Sequence, residues 1–171
     1  MICSRDRSNS AVRSWGKWQL AHIRRIATQD DWNHWMVDRM SDERRQLVKQ
    51  HYHEAMSIHS AAALKWYLRN QIYFDYGLDA QPGRVLLIKY EHLVENPVLT
   101  CQALFNLLEL KFSPDFVAKI YRTSINKDQF PSIDPGVERL CDNLMTKLDR
   151  TFQVQRTKAK CSAPRPCAPH K

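Results

Sequence analysis

The sequence predicts an α/β fold that is largely helical and keeps only a short remnant of parallel sheet. Three observations lead there. Most of the chain repeats apolar residues at three- and four-residue steps, the mark of helices that bury one stripe. One stretch, Arg84-Val-Leu-Leu-Ile-Lys-Tyr90, is apolar at its centre without alternation, as a strand covered on both faces is. The composition, 43% hydrophobic and 26% charged over 171 residues, is that of a globular domain. No apolar run reaches the length of a membrane span or follows the start as a signal peptide would, so the chain as given is expected to be soluble.

Residues 9–26 read as a helix, capped by Asn9 or Ser10, with Val12, Trp15, Trp18 or Gln19, His22 and Ile26 at helical steps. Asp30-Asp31-Trp32 opens a second helix through Trp35, Val37 and Met40. Residues 41–76 form one long helical pattern without Gly or Pro, carried by Leu47, Tyr52, Met56, Leu64, Leu68 and Ile72. Gly77 stops it, and 78–83 is a turn containing Pro82 and Gly83. The strand 84–90 follows. One buried strand cannot satisfy its own backbone groups, so part of a sheet is expected upstream of the stub at Ile2-Cys3.

Glu91-His92-Leu93 and Asn96-Pro97 turn into a helix over 98–110, with Pro97 where a first helical turn tolerates it. Ser113-Pro114 opens a short helix over 115–121. A last helix over 135–152 aligns Val137, Leu140, Cys141, Leu144 and Leu148. From Gln153 onward Lys, Arg and three prolines occur without apolar periodicity. The expected organisation is a domain over 1–152 and a basic, disordered tail over 153–171.

A formal charge of +8 favours an anionic partner, and nucleic acid, a nucleotide or an acidic polysaccharide each satisfy it. The five cysteines are widely spaced and form no CxxC or Cys/His grouping, so neither a disulfide framework nor a zinc site is indicated; Cys101 and Cys141 read as small buried hydrophobes. His51, His53 and His59 stand two, six and eight residues apart with no i, i+4 acidic ligand, and predict no metal site. Trp15, Trp18, Trp32 and Trp35 interleave with Arg13, Lys17, Arg24 and Arg25, but at spacings that suit core or pocket lining better than base stacking. His22 and His34 have no identifiable partner in the sequence, and His92 reads as a turn or helix-cap residue.

The stretch Arg-Val-Leu-Leu-Ile-Lys-Tyr-Glu-His-Leu-Val-Glu-Asn-Pro over 84–97, leading to an amphipathic helix that ends in Leu108-Glu109-Leu110, resembles the late strand and helix of sulfotransferases that use 3′-phosphoadenosine 5′-phosphosulfate. That family commonly has Tyr-Glu-Asp-Leu where this chain has Tyr90-Glu91-His92-Leu93. Trp66-Tyr-Leu-Arg-Asn-Gln-Ile-Tyr-Phe resembles the long helix before that strand, and Val137-Glu-Arg-Leu-Cys-Asp-Asn-Leu the closing helix of some members. The resemblance covers about residues 5–150.

It implies an incomplete P-loop NTPase-like fold with a pocket at the carboxyl ends of its strands. It implies a phosphosulfate nucleotide as sulfate donor, no metal, and a hydroxyl- or amine-bearing carbohydrate or small molecule as acceptor. The family's donor loop is absent, because Gly16, Gly77, Gly83 and Gly136 are isolated; the resemblance therefore implies that the chain is the C-terminal part of such a domain, expected to be inactive alone, with its catalytic base upstream. The family's 3′-phosphate element, Arg-Asp-x-Arg-Asp before a helix carrying Ser, has two registers here. In one, Arg5-Asp6 is the second Arg-Asp pair and Ser10 the serine, with no gap; in the other, Arg5 pairs with Ser14 after one inserted residue. Arg122, Ser124 and Lys127 correspond to a late loop that brings basic groups to the nucleotide. The expected compartment is cytoplasmic for the chain as given, or the Golgi lumen if an anchor precedes it. An inactive remnant acting as a binding protein is the alternative function. A basic nucleic-acid module is the remote one, opposed by the lack of any helix-turn-helix, zinc or aromatic RNA motif.

Overall fold

Residues 58–75 carry buried side chains on two faces, Ala61, Leu64 and Leu68 on one and Ser60, Ala63 and Tyr67 on the other, and this helix organises the rest. The computed structural model describes residues 9–29, 41–81, 83–120 and 131–161, with side chains from 17 onward in the first helix and up to 157 in the last. Six α-helices follow in order: α1 Asn9–Gln29, α2 Asp42–His51, α3 Ile58–Asp75, α4 Tyr90–Glu95, α5 Pro97–Leu107 and α6 Pro135–Cys161. Short 3₁₀ turns lie at Leu78–Ala80 and Pro114–Val117.

α3 packs against α1 on one side and α6 on the other, and α2 packs against α1. The core joins Ile23 and Ile26 of α1, Val48 of α2, Ala61, Leu64 and Leu68 of α3, and Val137, Cys141, Leu144, Leu148 and Phe152 of α6. Each fully buried aliphatic side chain among them contributes roughly 1.5–3 kcal/mol by leaving water. α4, α5 and the Pro114–Val117 turn form a separate small unit. α4 docks on α6 through the His92 and Phe152 rings, centroids 5.1 Å apart, and through a 2.6 Å bond from Lys89 Nζ to Asp149 Oδ1.

The α/β expectation fails: the described residues form no sheet and the fold is helical. Residues 85–88 are neither helix nor strand, Lys89 is extended, and Tyr90 already begins α4. Among the described residues no strand pairs with the stretch, and Lys89 alone carries an isolated bridge. Instead Leu87 N donates to Oε1 of Gln155 at 2.9 Å, and Gln155 Nε2 donates to the Tyr73 hydroxyl at 3.1 Å. A buried amide side chain on α6 thus does for this segment what a neighbouring strand would do. Only Leu87 of the run is buried, which suits a segment lying along a helix rather than inside a sheet.

Two helix boundaries also differ. The pattern over 41–76 is broken between His51 and Ile58: Tyr52 leaves the helix in an extended conformation, and Ser57 starts α3 by accepting from Ser60 N at 3.0 Å. α6 runs nine residues beyond Phe152, into the stretch expected to be disordered, because Gln155 is buried against 87 and 73. α1, expected over 9–26, is described over Asn9–Gln29, and Gly77, at φ 62°, ends α3 in the left-handed region open to glycine. The expected helix at 30–40 lies outside the described residues.

Asp134 ties the start of α6 to α3. Its Oδ1 accepts from Gly136 N at 3.0 Å, its Oδ2 meets His53 Nε2 at 2.9 Å, and its own N–H donates to Ser60 Oγ at 2.9 Å. A Cβ on Gly136 would stand 2.9 Å from His51 Nδ1, so the close approach of this turn to α2 needs glycine.

Replacing Gln155 by Leu leaves the Leu87 N–H without its acceptor and costs about 1–3 kcal/mol in urea denaturation. Asp134→Ala costs about 1 kcal/mol at pH 7. The hydrogen bond from His53, and then that from Gly136 N, holds the Asp134 carboxyl below the usual range. Its stabilisation is therefore complete above the ordinary aspartate range and lost as pH falls through the lowered value, so wild type and variant converge in acid.

Candidate functional site

Of the five residues expected to hold the nucleotide, Ser10 and Ser14 lie on a described element, and Arg5, Arg122 and Lys127 lie outside the described residues. Ser10 falls in the first turn of α1. Steps of four put Ser10, Ser14, Trp18 and His22 on one stripe of that helix, which leads from its start to the seam with α3.

At that seam lies a polar cluster in otherwise apolar surroundings. Ile23 and Ile26 press α1 against Leu64 and Leu68 of α3, and this brings Lys65 and His22 together. Lys65 Nζ stands 2.6 Å from His22 Nδ1, with Lys65 6% and His22 4% exposed. Trp18, one turn before His22, has its ring centroid 5.8 Å from Lys65 Nζ and 5.3 Å from the His22 ring. Among the described residues no carboxylate lies within ion-pair distance of Lys65. Burial, and then the charge of Arg69 one turn along α3, push the Lys65 amine down to about 8.

The chemistry follows from the donors. An ammonium has three N–H groups and no acceptor, so when charged it donates to Nδ1 and puts the imidazole proton on Nε2. Among the described residues that pairing leaves the positive charge uncompensated in a site shielded from water. At neutral pH the seam therefore holds a cation suited to an anion; in alkali the amine is neutral.

Other polar groups are committed to structure. Arg44 grips Asp75 through Nη2 at 3.0 Å and Nε at 3.3 Å and donates to the Tyr67 hydroxyl at 2.8 Å, fixing α2 on α3. His92, expected as a turn or helix-cap residue, lies inside α4 instead, where its Nδ1 meets Thr100 Oγ1 of α5 at 3.0 Å; burial, then the charge of Arg156, pushes its basicity down. His53 serves Asp134, and the described residues show no group of three metal-ligating side chains. Cys141 is buried, donating to Ala63 O at 3.5 Å, while Cys101 is half-buried. Trp18, read as core or pocket lining, is 55% exposed at the mouth of the seam. No helix among the described residues is long and apolar enough to cross a membrane.

Sequence reasoning gave His22 no partner and passed over Lys65. The available signal was a lysine on an apolar stripe, between Leu64 and Leu68. Comparison with protein families, with curated proteins and with solved structures found no match to this chain.

Lys65→Met removes a buried charge, and at pH 7 the variant is more stable than wild type by about 1–3 kcal/mol. Between about 8 and the unperturbed 10.5 the unfolded chain binds more protons at Lys65 than the folded one. Wild-type stability therefore gains relative to the variant as pH rises through that window, and urea denaturation at pH 7 and pH 10 shows the difference shrinking.

Proposed function

We propose that this chain is a sulfotransferase-type segment that takes the 3′-phosphate of 3′-phosphoadenosine 5′-phosphosulfate at the start of α1. In a full domain it would serve transfer of the sulfuryl group to a hydroxyl or amine of a carbohydrate or small molecule. The observation that carries this reading is that α1 is helical from its first described residue, Asn9. It sets Ser10 in the first turn, after Arg5-Asp6, in the register that needs no gap. A serine hydroxyl next to an arginine has the chemistry to hold a phosphate. The resemblance over 84–97 supports the same reading from its own residues. There Tyr90 opens α4 and Pro97 opens α5, so the two landmarks of the motif coincide with helix starts.

A second reading, a sulfotransferase-like remnant that binds without transferring sulfate, is favoured by the glycines. Gly77 serves a helix end, Gly136 serves the approach to His51, and a Cβ on Gly83 would meet nothing. Gly16 is inside α1. None of these settings is the Gly-rich cradle that a phosphosulfate loop requires.

Calorimetric titration with adenosine 3′,5′-bisphosphate tests the first reading. Binding that weakens about tenfold or more in Arg5→Ala and in Ser10→Ala, with Ser14→Ala unaffected, supports it in the preferred register, since loss of a charge-assisted hydrogen bond costs about 1.5–3 kcal/mol. Weakening in Ser14→Ala instead selects the other register. Absence of binding at millimolar nucleotide in the folded chain refutes both. A radiolabelled sulfuryl-transfer assay on the same protein separates a transferase from a binding remnant.

A further inference from the structure

The pair at the α1–α3 seam is unusual in its charge balance. Lys65 is a cation more than nine-tenths buried whose near polar neighbour is another base, His22, at 2.6 Å. Arg69, on the next turn of α3, adds positive field rather than relieving it. Three other buried side chains of α3 that carry a polar group are answered by complementary groups: Ser60 by Asp134 N–H, Tyr67 by Arg44 and Tyr73 by Gln155. Lys65 is answered by a group that can accept its proton but cannot balance its charge. Beside it stands Trp18, 55% exposed, so the amine lies one indole ring from solvent.

We propose that Lys65, His22 and Trp18 form a binding site for a small oxyanion of the sulfate or phosphate-monoester class, with the Lys65 ammonium as its counter-charge. The oxyanion accepts from the amine's remaining N–H groups while His22 Nδ1 holds the third. The indole covers the ion from the solvent side and lowers the local dielectric, which strengthens the contact. This site is separate from the nucleotide position at the start of α1. Ser10 and His22 are twelve residues apart on one helix, about 18 Å along its axis at 1.5 Å per residue. One nucleotide cannot place its two phosphate positions across that distance. The inference stands on the seam's geometry and does not need the nucleotide reading.

The test follows Lys65 itself. In protein carrying ¹³C-labelled lysine, the Lys65 ε-methylene resonance is titrated with pH in sodium sulfate and in sodium chloride of equal ionic strength, and again in inorganic phosphate. A bound oxyanion holds the proton on, so the midpoint rises by one pH unit or more in sulfate or phosphate, equivalent to at least a tenfold preference for the charged amine. Trp18 fluorescence changes saturably with the same anions, and the change is absent in Lys65→Met, whose fold is checked by circular dichroism. Equal midpoints in sulfate, phosphate and chloride overturn the proposal. A response to phosphate but not sulfate narrows the class to phosphate esters. The Ser10→Ala variant keeps the full response if the site is independent; loss of it there would place the anion at the start of α1 and overturn the assignment to Lys65. Failure of nucleotide binding with a normal Lys65 response would refute the function proposed above and leave this site standing.

Discussion

Everything in this molecule is arranged around the two-sided burial of α3. A helix packed against α1 on one side and α6 on the other has little surface left for polar side chains, so those it carries must be satisfied by its neighbours. Four such bonds reach four different places. Ser60 takes the Asp134 N–H before α6, Lys65 meets His22 on α1, Tyr67 takes Arg44 from α2, and Tyr73 takes Gln155 from α6. The apolar contacts supply most of the free energy, and these bonds fix which element lies where. Gln155 reaches furthest, because its second polar atom receives the Leu87 N–H and so carries the segment 85–88 onto the same scaffold.

The helices were readable wherever local signals sufficed. α1 is helical from Asn9, Gly77 ends α3, Pro97 opens α5, and the stripe from Val137 to Leu148 gives the buried face of α6. The strand was misread because an apolar run of four residues states only that the backbone is not helical and is partly covered. What covers it is set by Gln155, a polar residue 68 positions away in a stretch that reads as a tail. The break between α2 and α3 was missed for a related reason. Tyr52 and Met56 keep the apolar pattern going, and Ser57 acts as a cap only because Ser60 turns back to it.

The candidate site divides in the same way. Ser10 and Ser14 are legible because a helix start and its serines are local features. Lys65 is not, since its meaning depends on a pairing across 43 positions that no spacing rule contains. A lysine between two leucines on a helix is ordinarily read as a chain whose head reaches water past an apolar surface. Here the head turns toward His22, and the indole of Trp18 lies beside it.

That geometry weighs stability against charge placement. An apolar residue at 65 would pack against Ile23, Ile26 and Leu64 without desolvating an ammonium, which outweighs the loss of the bond to His22 Nδ1. Lysine there is destabilising for the empty fold and stabilising once an oxyanion is present, because the same low dielectric that penalises the lone charge strengthens the pair. The sign of its contribution therefore depends on occupancy. A group that only holds helices together has the same sign in both states, as Arg44 does between Asp75 and Tyr67. Lys65 and Arg44 are both basic and both reach across to α3 or from it, yet Arg44 has its carboxylate within the fold. Lys65 has a base there instead, and the lack of a counter-charge among the described residues is the reason to look for a ligand at the seam.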